Sequence, residues 1–508
     1  MCKEREGLAA HGDVMSARYT TSIVWLRRDL RLADHVALAR AARASERVVC
    51  AFVLDPALLR GPTVGAPIVS FFFDALSELR AALRKRESDL VLLEGDFSTE
   101  LCTLAERVAA GALFYNVDYE PSARERDRAV TSAFTRAGAH VEACLDHVYY
   151  GAQEVLKADA APYTVYTPYK RRWLERLHDD PRLPVDSLAA LPGKLASRGE
   201  LGPGREVPDP GAYGHAGSAK FPKGGERKAR VLLESFVRGP IDDYARARNL
   251  PAVAGTAHIS PHLRAGTIGI RTCVAAVLEA RSGKRNAAAT GCDTWLGELI
   301  WRDFYQQILA NFPRVATGPF DERARELRYR ESMQDFNAWS QGRTGYPIVD
   351  AAMRQLASHG WMHNRLRMIV ASFLTKDLLL DYRLGERHFE QHLADGDKAA
   401  NNGGWQWSSS TGTDAAPYFR VFNPVVQSEK FDPDGAFIHS MLPELAPLTG
   451  AALHAPWKLS PLEATSAGFR LGETYPAPIV DHVAARSRAL ALYAPVLGKA
   501  GRSAGAQP

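Results

Sequence analysis

Two carboxylates (Asp395, Asp397), two amides (Asn401, Asn402), the pair Gly403-Gly404 and the indoles Trp405 and Trp407 crowd the start of the stretch DGDKAANNGGWQWSSSTGTDAAPYFRVFNP, Asp395 to Pro424. Glycines beside large aromatics let a backbone approach a flat ligand, amides and carboxylates read a heterocycle's edge, and indoles offer stacking surface. So many polar groups in so few residues are foreign to a core strand or helix, and the stretch reads as the wall of a cofactor pocket; a Gly-rich surface loop is the alternative. A second set is Trp295, Glu298 and Trp301, three apart, with Arg302 following. At helical spacing these side chains fan over adjoining faces. Spacing alone favours a core aromatic stripe with a solvated Glu298 over a carboxyl framed by indoles, which is costly to bury without a partner. On WMHNRLRMIV, Asn364 and Met368 are four apart and share a face, with Arg365 beside them. In GTAHISPHLRAGTIGIR, Thr256 and Ser260 flank a turn into a helix, where amide N–H groups and hydroxyls suit a phosphate; simple helix capping is the commoner use.

These residues are spread over a chain of 508, long enough for two or three domains. SIVWL, RVVCAFVLD, DLVLLEGD and GALFYNVDYE read as four strands. They alternate with helical runs at Val36 to Ala44, IVSFFFDALSELRAALRKR and STELCTLAERVAA, which predicts a parallel α/β sheet over residues 21–148. No GxGxxG follows the first strand, so this half lacks the ordinary dinucleotide fingerprint, although its carboxyl edge can still face a ligand. Residues 1–20 read as a polar, disordered tail, and the Pro/Gly-rich 149–225 as a long connection draped over the surface. Residues 226–483 are helical throughout, with Pro347 opening one helix and Gly360 closing it; 484–508 read as a short helix and a frayed end.

Hydrophobic residues make up 46% of the chain and charged ones 24%, the composition of a soluble globular protein, and a formal charge of +5 leaves any nucleic-acid affinity to local arginines. The six cysteines (Cys2, Cys50, Cys102, Cys144, Cys273, Cys292) have no short paired spacing, so neither a zinc site nor a disulfide framework is expected. No apolar run is long enough to span a membrane and the N-terminus lacks a secretory core, so a cytoplasmic protein with no membrane partner is expected.

Together the motifs resemble the DNA photolyase/cryptochrome family, and within it the class I cyclobutane pyrimidine dimer photolyases, from about Thr21 to His482. The resemblance implies a Rossmann-like α/β domain followed by an all-α FAD-binding domain. It implies a monomer that repairs pyrimidine dimers in DNA when excited, reduced FAD passes an electron to the flipped-out lesion. It assigns Tyr244, Thr256, Ala257, His258, Ile259, Ser260, Trp295, Asn364, Arg367, Asp395, Gly396, Asp397 and Asn401 to the cofactor, with Arg367 and Asp395 paired beside the flavin and Asn401 facing N5. Ala257 and His258 depart from the family's TSxLSPxL segment. To DNA and lesion it assigns Arg248, Glu298, Trp301, Arg302, Tyr305, Asn364, Arg365, Met368, Trp407 and Gln427. Asn401 rather than Asp, and a single histidine (His363) on the 361–368 helix, favour cyclobutane-dimer repair over plant cryptochromes and (6-4) photolyases.

Two departures stand out. Of the family's three relay tryptophans only Trp405 is kept; the other two positions hold Tyr382 and Tyr329, so photoreduction is expected to be slower, coupled to a base, or bypassed through a tryptophan such as Trp339. The folate-binding members' Asn-Glu pair is Ser122-Ala123 here and their lysine falls at Ala316. NVDYEPSARERD instead resembles deazaflavin binders, with Asp118 and Glu120 at the antenna, so deazaflavin is favoured over methenyltetrahydrofolate and an empty antenna site is equally allowed. The rival readings are a cryptochrome-like photoreceptor and, from another class, a light-independent flavin reductase or single-strand-binding protein.

Overall fold

In the computed structural model, which describes residues 18–498, five parallel strands form one sheet in the order β3-β2-β1-β4-β5. They are β1 (Tyr19–Leu26), β2 (Ser45–Leu54), β3 (Val91–Glu94), β4 (Ala112–Asn116) and β5 (His140–Cys144). Residues of β1 alternate between two cores. Val24 and Leu26 pack under the Val36–Ala44 and Ala66–Arg84 helices, while Ile23 and Trp25 face the Phe97–Arg107 and Pro121–Arg136 helices. Burial on both faces is why β1 reads as an unbroken apolar run. The fifth strand escaped the sequence reading because HVEAC is a half-exposed edge with a glutamate at its centre. The first strand opens at Tyr19, inside the expected tail, and residues 1–17 lie outside those described.

The 149–225 connection is more ordered than its composition promised. Tyr166–Asp179 is a helix whose Tyr166, Tyr169 and Trp173 are buried, a spacing of three and four that marks a packed face. Trp173 donates its indole N–H to Asp303, and Leu195 bridges to Val48 at the sheet. The expectation of a purely surface-draped segment is corrected there.

Beyond it the chain is helical, built on the 26-residue helix Asn286–Asn311 and on the pair Pro347–His359 and Asn364–Ser372. Pro347 stands at the first turn and Gly360 takes the left-handed C-terminal conformation at φ 63°, both as expected. No helix among the described residues is long and apolar enough to cross a membrane, and no cluster of metal-ligating side chains occurs among them.

After Ser372 the helix widens into a π turn, Phe373–Asp377, that carries a buried lysine. Lys376 Nζ donates to Ser410 Oγ at 2.9 Å and lies 3.5 Å from the centroid of Tyr493. Burial pushes its pKa down to about 7. A depressed folded-state value means the unfolded chain binds the extra proton between the two values, so stability rises with pH from about 7 toward the ordinary lysine value of 10.5 and is flat, at its lowest, below 7. The stability of the wild type relative to Lys376→Met is therefore expected to climb from pH 7 to pH 10, by up to about 1.4 kcal/mol per unit. Denaturant titrations at several pH values measure this; a difference that stays constant contradicts it.

A candidate flavin and DNA cavity

The Lys398–Ser408 helix forms one wall of a cavity of about 530 Å³. That the Gly-Gly-Trp stretch is helical corrects the expectation that a helix would not carry so many polar groups. Its polar residues are divided among separate tasks. Asp397 caps the helix by accepting from Ala400 N–H, Asn402 Nδ2 donates to the Val315 carbonyl, and Gln406 Nε2 donates to the carbonyls of Val315 and Gly318. The glycines divide similarly. A Cβ on Gly403 would lie 2.2 Å from the Tyr305 ring, so glycine there permits helix–helix contact, whereas one on Gly404 would meet nothing within 4 Å and Gly404 opens on the cavity. Trp405 is wedged against Gly385, whose Cβ would fall 2.1 Å from the indole.

The opposite wall is the Asn286–Asn311 helix, which presents Trp295, Glu298, Trp301, Arg302 and Tyr305. The linker helix braces it: Tyr166 stacks on Trp301 with ring centroids 3.6 Å apart and planes 8° from parallel, and its hydroxyl donates to the Gly297 carbonyl. Glu298 is half-buried and paired with Arg248 at 2.5 Å. Tyr244 lies beneath, buried, its phenol raised by burial and by Glu298.

The third side is the loop from Thr256 to Ser260 with the start of the Asn364–Ser372 helix. Thr256, Ala257, His258, Ile259 and Ser260 all line the cavity, as do Asn364, Met368 and Arg367. His258 sits at φ +51°, strained for a residue with a side chain, and packs on Trp361 at 4.4 Å. Arg367 is ion-paired with Asp395 at 2.8 Å, the pair the family resemblance implied, and also donates to the Met362 carbonyl. Asn401 Nδ2 donates to the Glu386 carbonyl at 3.0 Å. His363 caps its own helix through Nδ1, with burial and nearby cations lowering its pKa to about 4.

Three expected residues and part of the relay lie outside the lining, and a fourth, Arg302, lines the cavity but points its charge away from DNA. Gly396 is behind the wall, its carbonyl accepting from Arg264 Nε. Arg365 is just outside the lining; it donates to Asn249 Oδ1 at 2.7 Å and covers Phe431 at 4.4 Å. Burial and the neighbouring Arg248 both disfavour its charge, so two like charges are held together there. Gln427 is part-exposed on the same helix as Phe431. Arg302 departs from its expected place on DNA: one position round the helix from Trp301, its guanidinium turns inward to the His147 carbonyl at 2.6 Å, and burial lowers its pKa. Tyr382 and Tyr329 do not line the cavity, and burial raises both phenols. Trp339, fully buried, stands edge-to-face with Trp405 at 6.1 Å.

The sequence reading missed Leu263, Arg264, Trp361, Phe389 and Leu393 in the lining. The apolar ones read as ordinary core, and only tertiary packing turns them toward this space.

A space of this size, walled by indoles on two sides with an open glycine between them, suits a large flat cofactor. The chain matches two family descriptions: "DNA photolyase" over residues 22–189 and "FAD binding domain of DNA photolyase" over 295–495. It is 41% identical to the deoxyribodipyrimidine photo-lyase of Salmonella typhimurium, covering 93% of this chain and 98% of that protein. The chain belongs to the DNA photolyase family. Among solved structures of that family, a bacterial class III photolyase from Agrobacterium tumefaciens superposes with a TM-score of 0.85 at 33% identity, over 96% of this chain and 99% of the other. A Synechocystis cryptochrome superposes at 0.83 with 25% identity, over 94% and 100%. The fold is thus shared by proteins named photolyase and cryptochrome, and fold alone does not fix the activity.

Behind the photolyase cavity, at the carboxyl ends of β1 and β4, where the strand order reverses, is a crevice of about 10 Å³ lined by Arg28, Asp118 and His147 among others. Arg28 on its wall pairs with Asp118 at 3.2 Å, with Glu120 at 2.8 Å and with Asp397. Asp118 and Glu120, the expected antenna contacts, are engaged by that one guanidinium.

Proposed function

We propose that this photolyase repairs cyclobutane pyrimidine dimers in DNA in a light-dependent reaction, acting as a monomer with FAD in the 530 Å³ cavity. The observation that carries this reading is the convergence of Glu298, Trp301, Asn364, Met368 and Trp407 on that cavity beside Asn401. FAD, when bound and reduced, supplies the light-absorbing electron donor. The chain's own residues bind, orient and exclude water. Trp295 and the Thr256–Ser260 loop hold the nucleotide portion, and Arg367–Asp395 with Asn401 face the ring system. Asn401 adds hydrogen-bonding capacity without a charge. A dimer turned out of the stack would enter between Trp301 and Trp407, with Glu298 hydrogen-bonding its polar edge and Met368 against its apolar face. Because a damaged step stacks poorly, extruding it costs less than extruding intact bases, which gives selectivity without base readout.

Arg248 and Arg365 are the proposed phosphate contacts, with Gln427 beyond them. Each arginine keeps a neutral or acidic neighbour, Asn249 or Glu298, that phosphate oxygens can replace. Arg365→Ala is expected to weaken binding to damaged DNA across sequences and to lower the magnitude of the salt slope by about one. Binding titrations from low to moderate salt check this, and an unchanged slope removes Arg365 from the phosphate contacts.

For electron supply to a resting oxidised cofactor we propose Trp405, with Trp339 in edge contact as the alternative to Tyr382 and Tyr329, whose phenolic protons burial makes harder to lose. An antenna pigment, deazaflavin by the sequence resemblance, would require Asp118 and Glu120 to release Arg28. The test of function is a thymine-dimer repair assay in blue light and in darkness with purified, FAD-loaded protein. Repair in light only is expected. Equal activity in the dark would point to the reductase or single-strand-binding class, and no repair in either to a photoreceptor.

A further inference from the structure

The carboxylate of Asp397 lines the cavity, yet its ion-pair partner comes from the other half of the molecule: Arg28, two residues past the end of β1. Arg28 also donates through Nε to the Arg264 carbonyl at 3.1 Å, and Arg264 Nε in turn donates to the Gly396 carbonyl at 2.8 Å. Gln306 Nε2 donates to both Asp397 oxygens, at 2.9 and 3.1 Å. Asp397 is at once a cavity group and the cap of the helix that carries Asn401, Gly404 and Trp405. Whatever fixes Asp397 fixes that wall.

We propose that Arg28 is a positioning residue of the flavin site: by gripping Asp397 from behind, the α/β half fixes both the charge and the orientation of the wall that faces the isoalloxazine. This rests on the reading of the cavity as a flavin site. The geometry favours it over a purely structural ion pair because one end of the pair lines the cavity itself, whereas wholly internal pairs such as Arg31–Asp146 touch no cavity group.

Asp397 is faced by Arg28, His147, Arg302 and Arg264, and behind Arg28 stand Asp118 and Glu120. His147 is held neutral by burial and by the adjacent arginines. Burial alone would raise the Asp397 carboxyl, but Arg28, the largest opposing influence, brings it well below the usual carboxylate range. With Arg28 removed, three acids face two partly desolvated arginines, Arg264 and Arg302, whose own charges burial disfavours. Asp397 must then take up a proton at a higher pH than before, and a group against the flavin begins to titrate.

The experiment is a pH titration of the oxidised flavin's visible absorption in full-length wild type, Arg28→Gln and Arg28→Lys, each loaded with FAD, together with FAD retention on dilution. The wild type should be flat from pH 5 to 8. Arg28→Gln should acquire a one-proton spectral step in that range and hold FAD on the order of tenfold more weakly, and Arg28→Lys, which keeps the charge, should restore the flat profile. A wild type that is yellow with an Arg28→Gln variant identical to it in spectrum, pH profile and retention overturns this inference alone. A wild type that takes up no FAD overturns the cavity reading and this inference together. If Arg28→Gln is insoluble or colourless, the charge-neutral pair Arg28→Gln/Asp397→Asn decides. A role through Asp397's charge predicts a soluble double variant with a flat profile, and a double variant as defective as the single one assigns Arg28 to packing and overturns the proposal.

Discussion

Gly404→Leu should yield a folded, colourless protein. Gly404 lies in the middle of the Lys398–Ser408 helix, and a Cβ there meets no atom within 4 Å. Nothing in the protein resists a Cβ at this position, and leucine in a helix interior is favoured over glycine by about 0.5–1 kcal/mol. The same side chain would enter the cavity that Gly404 lines, the space proposed for the flat ring. Loss of FAD affinity by at least about 100-fold, roughly 2.7 kcal/mol, is expected, with an unchanged or higher Tm. The neighbouring position is the control. Gly403→Ala places a methyl 2.2 Å from the Tyr305 ring and should lower stability by about 1–3 kcal/mol. Visible absorption of the purified variants and a thermal melt are the measurements. A yellow Gly404→Leu protein would move the ring system out of this cavity.

Glu298→Ala should separate repair from binding. Glu298 is the acid at the cavity mouth, and its partner is Arg248 at 2.5 Å. Removing the carboxylate deletes the hydrogen bond proposed for the lesion, so repair per absorbed photon is expected to fall about tenfold, the value of one charge-assisted hydrogen bond of about 1.5 kcal/mol. It also frees Arg248 for phosphate. Affinity for damaged DNA should therefore hold or increase, and the dependence on salt should steepen, the opposite of the Arg365→Ala result. Repair yield under calibrated light and a salt series of binding isotherms test the two halves separately. A parallel fall in both would make Glu298 a structural counter-ion for Arg248 and nothing more.

The sequence disclosed the α/β order because four of the five strands are buried on both faces and so stand out as apolar runs; the half-exposed HVEAC edge does not. It marked the stretch from Asp395 to Pro424 as a pocket wall through its crowd of amides, glycines and indoles, whereas Trp295, Glu298, Asn364 and Met368 are placed only by the family resemblance, because spacing alone favours a core stripe there. It did not disclose what each polar group does. Asn402 and Gln406 satisfy backbone carbonyls of a neighbouring turn, and Arg302 faces His147 instead of solvent. Those partners are 80 to 160 residues away in the chain, beyond the reach of any local pattern. The linker misled because proline and glycine on both sides hid the amphipathic run from Tyr166 to Trp173, together with isolated core residues such as Leu191 and Tyr213, all of which pack.

The brace between that run and the cavity wall bears on how the molecule could be divided. Tyr166 is stacked face to face on Trp301, and the chain is pinned again where Leu195 meets Val48, but Gly202-Pro203, just beyond, is exposed. A cut or an inserted reporter domain at Gly202-Pro203 interrupts no buried contact. The two pieces, residues 1–202 and 203–508, should reassemble when co-expressed, giving a photolyase whose light response depends on the meeting of two separately encoded halves.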